Sequence, residues 1–66
     1  MKILFILNPK SGKLNGDKEK IESMGAAIQL NFPGADMRLT QAPGHATQLA
    51  RASVLAGYDA TIAIGG

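Results

Sequence analysis

Sixty-six residues are fewer than half of a usual domain, and a chain of that length buries only about 60% of the surface its unfolded form exposes. With no cysteine and a single histidine, His45, neither disulfides nor a zinc site can brace it, while 45% hydrophobic and 18% charged residues exclude an intrinsically disordered chain. Seven Lys and Arg against five Asp and Glu leave a net charge of +2, and without a basic stripe or aromatic platform this excludes nucleic acid as the partner.

The first element is a continuous apolar run, Ile3 to Leu7, as expected of a central strand buried on both faces of a parallel sheet. It is far shorter than the ~20 residues that span a bilayer, and Asn8 and Pro9 follow it rather than a small-residue cleavage site. The expectation is therefore a cytoplasmic protein without a transmembrane segment, in keeping with the lack of cysteine. Asn8 to Gly16 has the composition of a loop in which Gly12 and Gly16 permit backbone angles that other residues avoid, and Asp17 can cap the helix that follows. Ile21, Met24, Ile28 and Phe32, with Ala27 between them, predict a helix over 18–31 with one buried stripe. Gly25 serves helix packing, and Met24 and Met37 serve as core filler.

Pro33 and Gly34 stop that helix. Met37 and Leu39 alternate with Asp36, Arg38 and Thr40, predicting a half-exposed edge strand from Asp36 to Gln41. Beyond Pro43 and Gly44, the residues Ala46, Leu49, Ala50, Ser53 and Val54 share one face of a second helix, which Gly57 ends in a left-handed conformation. Ala60 to Ile64 forms a third strand, and Gly65 and Gly66 follow it. No linker or repeat breaks this β-α-β-α-β order, so residues 1–66 read as one unit of the α/β class. It corresponds to half of a Rossmann- or flavodoxin-like nucleotide-binding domain.

Right-handed crossovers reconcile a buried first strand with an edge second strand most simply in the order 2-1-3, with the two helices on opposite faces. The reversal of winding opens a crevice between strands one and three at their C-terminal ends, where open α/β sheets bind ligands. Asn8-Pro9-Lys10-Ser11-Gly12, Thr40 and Gly65-Gly66 converge on that edge. Gly12, Gly65 and Gly66 let backbone N–H groups approach an anion, Lys10 and Lys13 add positive charge, and Ser11 and Thr40 offer hydroxyls. Asn8 can brace the loop or bond the ligand.

Familiar motifs fail. A Walker P-loop needs Gly in place of Leu7 and Ser or Thr in place of Leu14; G-x-G-x-x-G is absent after the first strand; and a phosphoacceptor receiver domain needs acidic residues where Leu7 and Asn8 stand. His45, in the first turn of the second helix, has no carboxylate near it in sequence to orient it as a base, so a structural role is expected.

Taken in order, Asn8-Pro9-Lys10-Ser11-Gly12, Thr40, Gly44-His45-Ala46 with Leu49-Ala50, Gly57-Tyr58-Asp59 and the strand into Gly65-Gly66 resemble the diacylglycerol kinase catalytic domain. That family includes bacterial lipid kinases and sphingosine kinases and is similar in fold to NAD kinases. The resemblance implies that Asn8 through Gly12 lie by the nucleotide, that Thr40 contacts it, and that Gly65 and Gly66 begin a G-G-D-G-T phosphate loop. It also implies ATP and Mg²⁺ as cofactors, with the metal ligands and catalytic base in a D-G-T continuation and a second, lipid-binding domain beyond these residues. The implied activity is transfer of the γ-phosphoryl of ATP to a lipid hydroxyl such as that of diacylglycerol, at a membrane surface to which the protein is peripheral. An NAD kinase-like enzyme and a non-catalytic flavodoxin-like binding or regulatory module remain open beside it. The 66 residues alone are expected to be inactive and to self-associate through the apolar third strand.

Overall fold

A computed structural model of the chain describes residues 1–12, 14–42 and 44–64. The elements are β1 (Ile3–Leu7), α1 (Lys18–Asn31), β2 (Asp36–Leu39), α2 (His45–Leu55) and β3 (Ala60–Ile64). The sheet is parallel throughout in the order β2-β1-β3, as the hydrophobic pattern predicts. In β1, Leu4, Phe5, Ile6 and Leu7 are all buried, because both neighbours pair with it and a helix covers each face.

The register separates the two faces. Phe5 stands opposite Met37 of β2 and Ile62 of β3, while Leu4 and Ile6 stand opposite Thr61 and Ala63. Phe5 and Leu7 join Leu14, Ile28 and Ala35 in the core beneath α1, with Ile3, Ile21, Met24, Met37 and Ile64 packed at its margin. The Phe32 ring, at the C-terminal end of α1, tilts against Phe5 with centroids 5.2 Å apart, a separation favourable for aromatic pairs. A Cβ added to Gly25 would meet Met37 Cε at 3.3 Å, so this glycine lets the helix approach β2, as expected. On the other face, Ser53 of α2 lies 2.6 Å from the Thr61 hydroxyl of β3 and donates to or accepts from it. The helices therefore lie on opposite faces of the sheet.

Local signals explain the boundaries. The Asp17 carboxylate accepts from the amides of Glu19 at 2.9 Å and Lys20 at 3.3 Å, capping α1. Gly57 has φ +86°, the left-handed residue expected after α2. Two expectations are corrected. β2 ends at Leu39 rather than Gln41: the Thr40 amide still donates to Leu7 O at 2.8 Å, but the Gln41 amide turns to the His45 side chain. Val54 is 75% exposed and lies off the packed face of α2, where the buried residue is its neighbour Ser53. Among the described residues, no helix is long and apolar enough to cross a membrane.

Candidate functional site

The loop after β1 is a closed unit. Asn8 Oδ1 accepts from the Lys10 amide at 3.0 Å, so the asparagine braces the turn it begins. Ser11 N–H donates to Asn8 O at 3.1 Å, Ser11 O accepts from the amides of Leu14 and Asn15 at 3.1 and 2.6 Å, and Gly16 N–H reaches back to Pro9 O at 2.7 Å. Asn15 and Gly16, with φ 46° and 68°, turn the chain toward α1. Leu14, 2% exposed, plugs the loop into the core under α1. This anchor was not identified from the sequence, because an isolated leucine among Lys, Gly and Asn carries no periodicity.

One expectation about the loop changes. Gly16 takes the left-handed angle expected of it and Asn15 joins it there, but Gly12 lies outside that region, and a Cβ at Gly12 would meet nothing within 4 Å. Its backbone is open to approach but needs no special angle. Ser11 is buried, and its Oγ has no hydrogen-bond partner among the described residues. A buried hydroxyl left unpaired costs about 1–3 kcal/mol.

A cleft of about 430 Å³ opens at the C-terminal edge of the sheet, and its described lining is Asn8, Lys10, Thr40, Gln41 and Ala42. It thus lies between the loops that leave β1 and β2. The crevice expected between strands one and three would take its second wall from Gly65 and Gly66, which lie outside the described residues; within them, Asn8 N–H donates to Ile64 O at 3.3 Å and continues the β1–β3 pairing past the end of β1. Of the residues proposed from sequence, Asn8, Lys10 and Thr40 meet in the cleft, while Pro9, Ser11 and Gly12 belong to the same loop without lining it. Lys13, Gly65 and Gly66 lie outside the described residues. Gln41 and Ala42 are not singled out by the sequence, because Gln41 reads as the end of the second strand and Ala42 as an ordinary connection.

Chemically, the described lining offers an ammonium group, two amide side chains and a hydroxyl, and no carboxylate. Such a set suits an anionic or hydroxyl-rich ligand. No group of three or more His, Cys, Asp or Glu side chains able to hold a metal ion gathers among the described residues.

The sequence matches the family model described as the diacylglycerol kinase catalytic domain over residues 2–66. No curated protein and no solved structure matches the chain. Because the matched span runs through every strand and helix and both segments that line the cleft, the chain belongs to the diacylglycerol kinase catalytic domain family.

Proposed function

We propose that these residues form the ATP-binding part of a lipid kinase, which transfers the γ-phosphoryl of ATP to a lipid hydroxyl such as that of diacylglycerol. The observation that carries this reading is the family match over residues 2–66, which spans a fold whose β1 loop and β2 exit share one carboxylate-free described lining. In this reading Lys10 faces the nucleotide's negative charge, Asn8 and Thr40 bond its polar edge, and the backbone at Gly12 admits a phosphate. Gly65 and Gly66 begin the rest of the phosphate loop.

Transfer forms a bond from the acceptor oxygen to the γ-phosphorus and breaks the bond from that phosphorus to the ADP oxygen, while the hydroxyl proton passes to a base. Neither that base nor a metal ligand is assigned to the described residues. Mg²⁺, if bound with the nucleotide, would supply charge neutralisation, and in this reading its protein ligands would come from outside the described residues. The contribution of this chain is position: it holds the donor, and an acceptor-binding domain beyond residue 66 holds the lipid at a membrane surface. Alignment of the two contributes on the order of 7–11 kcal/mol, so the 66 residues alone should show no turnover.

The test is an assay of the full-length protein with radiolabelled ATP and Mg²⁺ against diacylglycerols, sphingoid bases and NAD. Labelled lipid is the expected product. Labelled NAD phosphate without labelled lipid would move the assignment to an NAD kinase-like enzyme, and no product from any acceptor would favour a non-catalytic binding module.

A further inference from the structure

His45 is the first residue of α2, yet its ring does not serve that helix. The N-cap residue is Gly44, with φ 82° and no side-chain cap. The ring turns back along the chain, and His45 Nδ1 accepts the backbone N–H of Gln41 at 3.0 Å. The His45 amide donates to Ala42 O at 3.1 Å, so side chain and backbone of one residue hold both ends of the dipeptide Gln41-Ala42. That dipeptide supplies two of the described cleft-lining residues, and Thr40 just before it is held by Leu7 O at 2.8 Å. Successive amides are thus fixed from opposite sides, Thr40 by β1 and Gln41 by the histidine ring.

We infer that His45 is a positioning residue of the cleft, which sets the path of residues 40–42 through an unprotonated Nδ1 and thereby sets nucleotide affinity without touching the nucleotide. An imidazole nitrogen that accepts carries no proton, so the ring proton sits on Nε2. The acceptor must stand at the Nδ1 position, which makes the inference specific. Asparagine places its Oδ1 close to where Nδ1 stands, whereas glutamine places its oxygen one bond further out. The affinity component rests on the proposed reading of the cleft as the nucleotide site; the path of the loop does not.

The test compares wild type with His45→Ala, His45→Asn and His45→Gln, each shown to be folded by circular dichroism. Without nucleotide, nitrogen-15 NMR should report the Nε2–H tautomer, and exchange of the Gln41 amide should be slow in wild type and His45→Asn and about two- to tenfold faster in the other two, the ratio expected for one lost hydrogen bond. Affinity for ATP, measured by calorimetry, should fall by a similar factor in His45→Ala and His45→Gln and recover in His45→Asn. Equal Gln41 exchange in wild type and His45→Ala overturns the inference, as does full ATP affinity in His45→Ala. Slow exchange restored only by asparagine, in a protein that binds no ATP, would uphold the loop-setting role and instead overturn the nucleotide reading of the cleft.

Discussion

The Tyr58 hydroxyl donates to the Asp36 carboxylate, and this bond joins the turn before β3 to the first residue of β2 across the N-terminal end of β1, the strand that separates them. Lys2 completes the tie: its ammonium sits 4.5 Å from the centroid of the Tyr58 ring and donates to Ala56 O at 2.9 Å, while its backbone amide donates to Asp59 Oδ2 at 2.7 Å. The edge opposite the cleft is thus held by Asp36 at the start of β2, by Tyr58 and Asp59 in the turn before β3 and by Lys2 just before β1.

The bond has a pH signature. Hydrogen bonding to Asp36, with desolvation and the carboxylate charge acting in the same direction and Arg38 opposing, holds the Tyr58 phenol above its ordinary value near 10. The folded form keeps a proton that the unfolded form has released, so this contribution to stability is full below pH ~10 and declines as pH rises through the raised value. Denaturant unfolding at stepped pH should show a steeper loss of stability above pH ~10 in wild type than in Tyr58→Phe. Parallel curves would remove the linkage.

Leu14 should matter to both fold and site. Leu14→Ala is expected to cost about 2–5 kcal/mol, because the buried side chain leaves a cavity under α1. At roughly 0.05–0.15 kcal/mol per residue, a chain this short has little to spare, so the variant should be largely unfolded by mild denaturant. Leu14→Met, which conserves volume, should lose less than about 1.5 kcal/mol and keep the loop closed. Chemical denaturation followed by circular dichroism measures both.

Backbone approach at Gly12 separates a donor loop from a merely basic one. Open space at this residue lets Gly12→Val fold, but the branched side chain would stand where an anion approaches the amides, and ATP affinity should fall by roughly tenfold or more. Lys10→Ala removes an exposed charge and should weaken binding by roughly fivefold at most. Equal or reversed losses by calorimetric titration would refute the backbone-donor account.

Self-association is the expected behaviour of the 66 residues in isolation. Among the described residues β3 pairs with β1 alone, it carries no charged residue, and Ile62 is 38% exposed. An uncharged edge strand is a template for pairing with another chain. Sedimentation velocity should show mass increasing with concentration, and replacing Ile62 with lysine should reduce it. A concentration-independent monomer with cooperative unfolding would contradict the expectation.

The sequence by itself determined the elements and their order, because these rest on local patterns. The unbroken apolar run of β1, the 3.6-residue spacing of Ile21, Met24 and Ile28, the Asp17 cap and the left-handed Gly57 each act within a few residues, and the right-handed crossover rule then leaves the order 2-1-3. Asn8, Lys10 and Thr40 could be brought to one edge on topology alone, because loops after parallel strands share an end of the sheet. Tertiary structure decided that the exits of β1 and β2 share a cleft, that Leu14 is core rather than loop surface, that Ser11 faces inward, and that the His45 ring holds Gln41 instead of capping its own helix. These depend on volume and hydrogen-bond partners met only after packing. A one-dimensional pattern reports which face a residue prefers, but the group that satisfies it is selected by the three-dimensional neighbourhood.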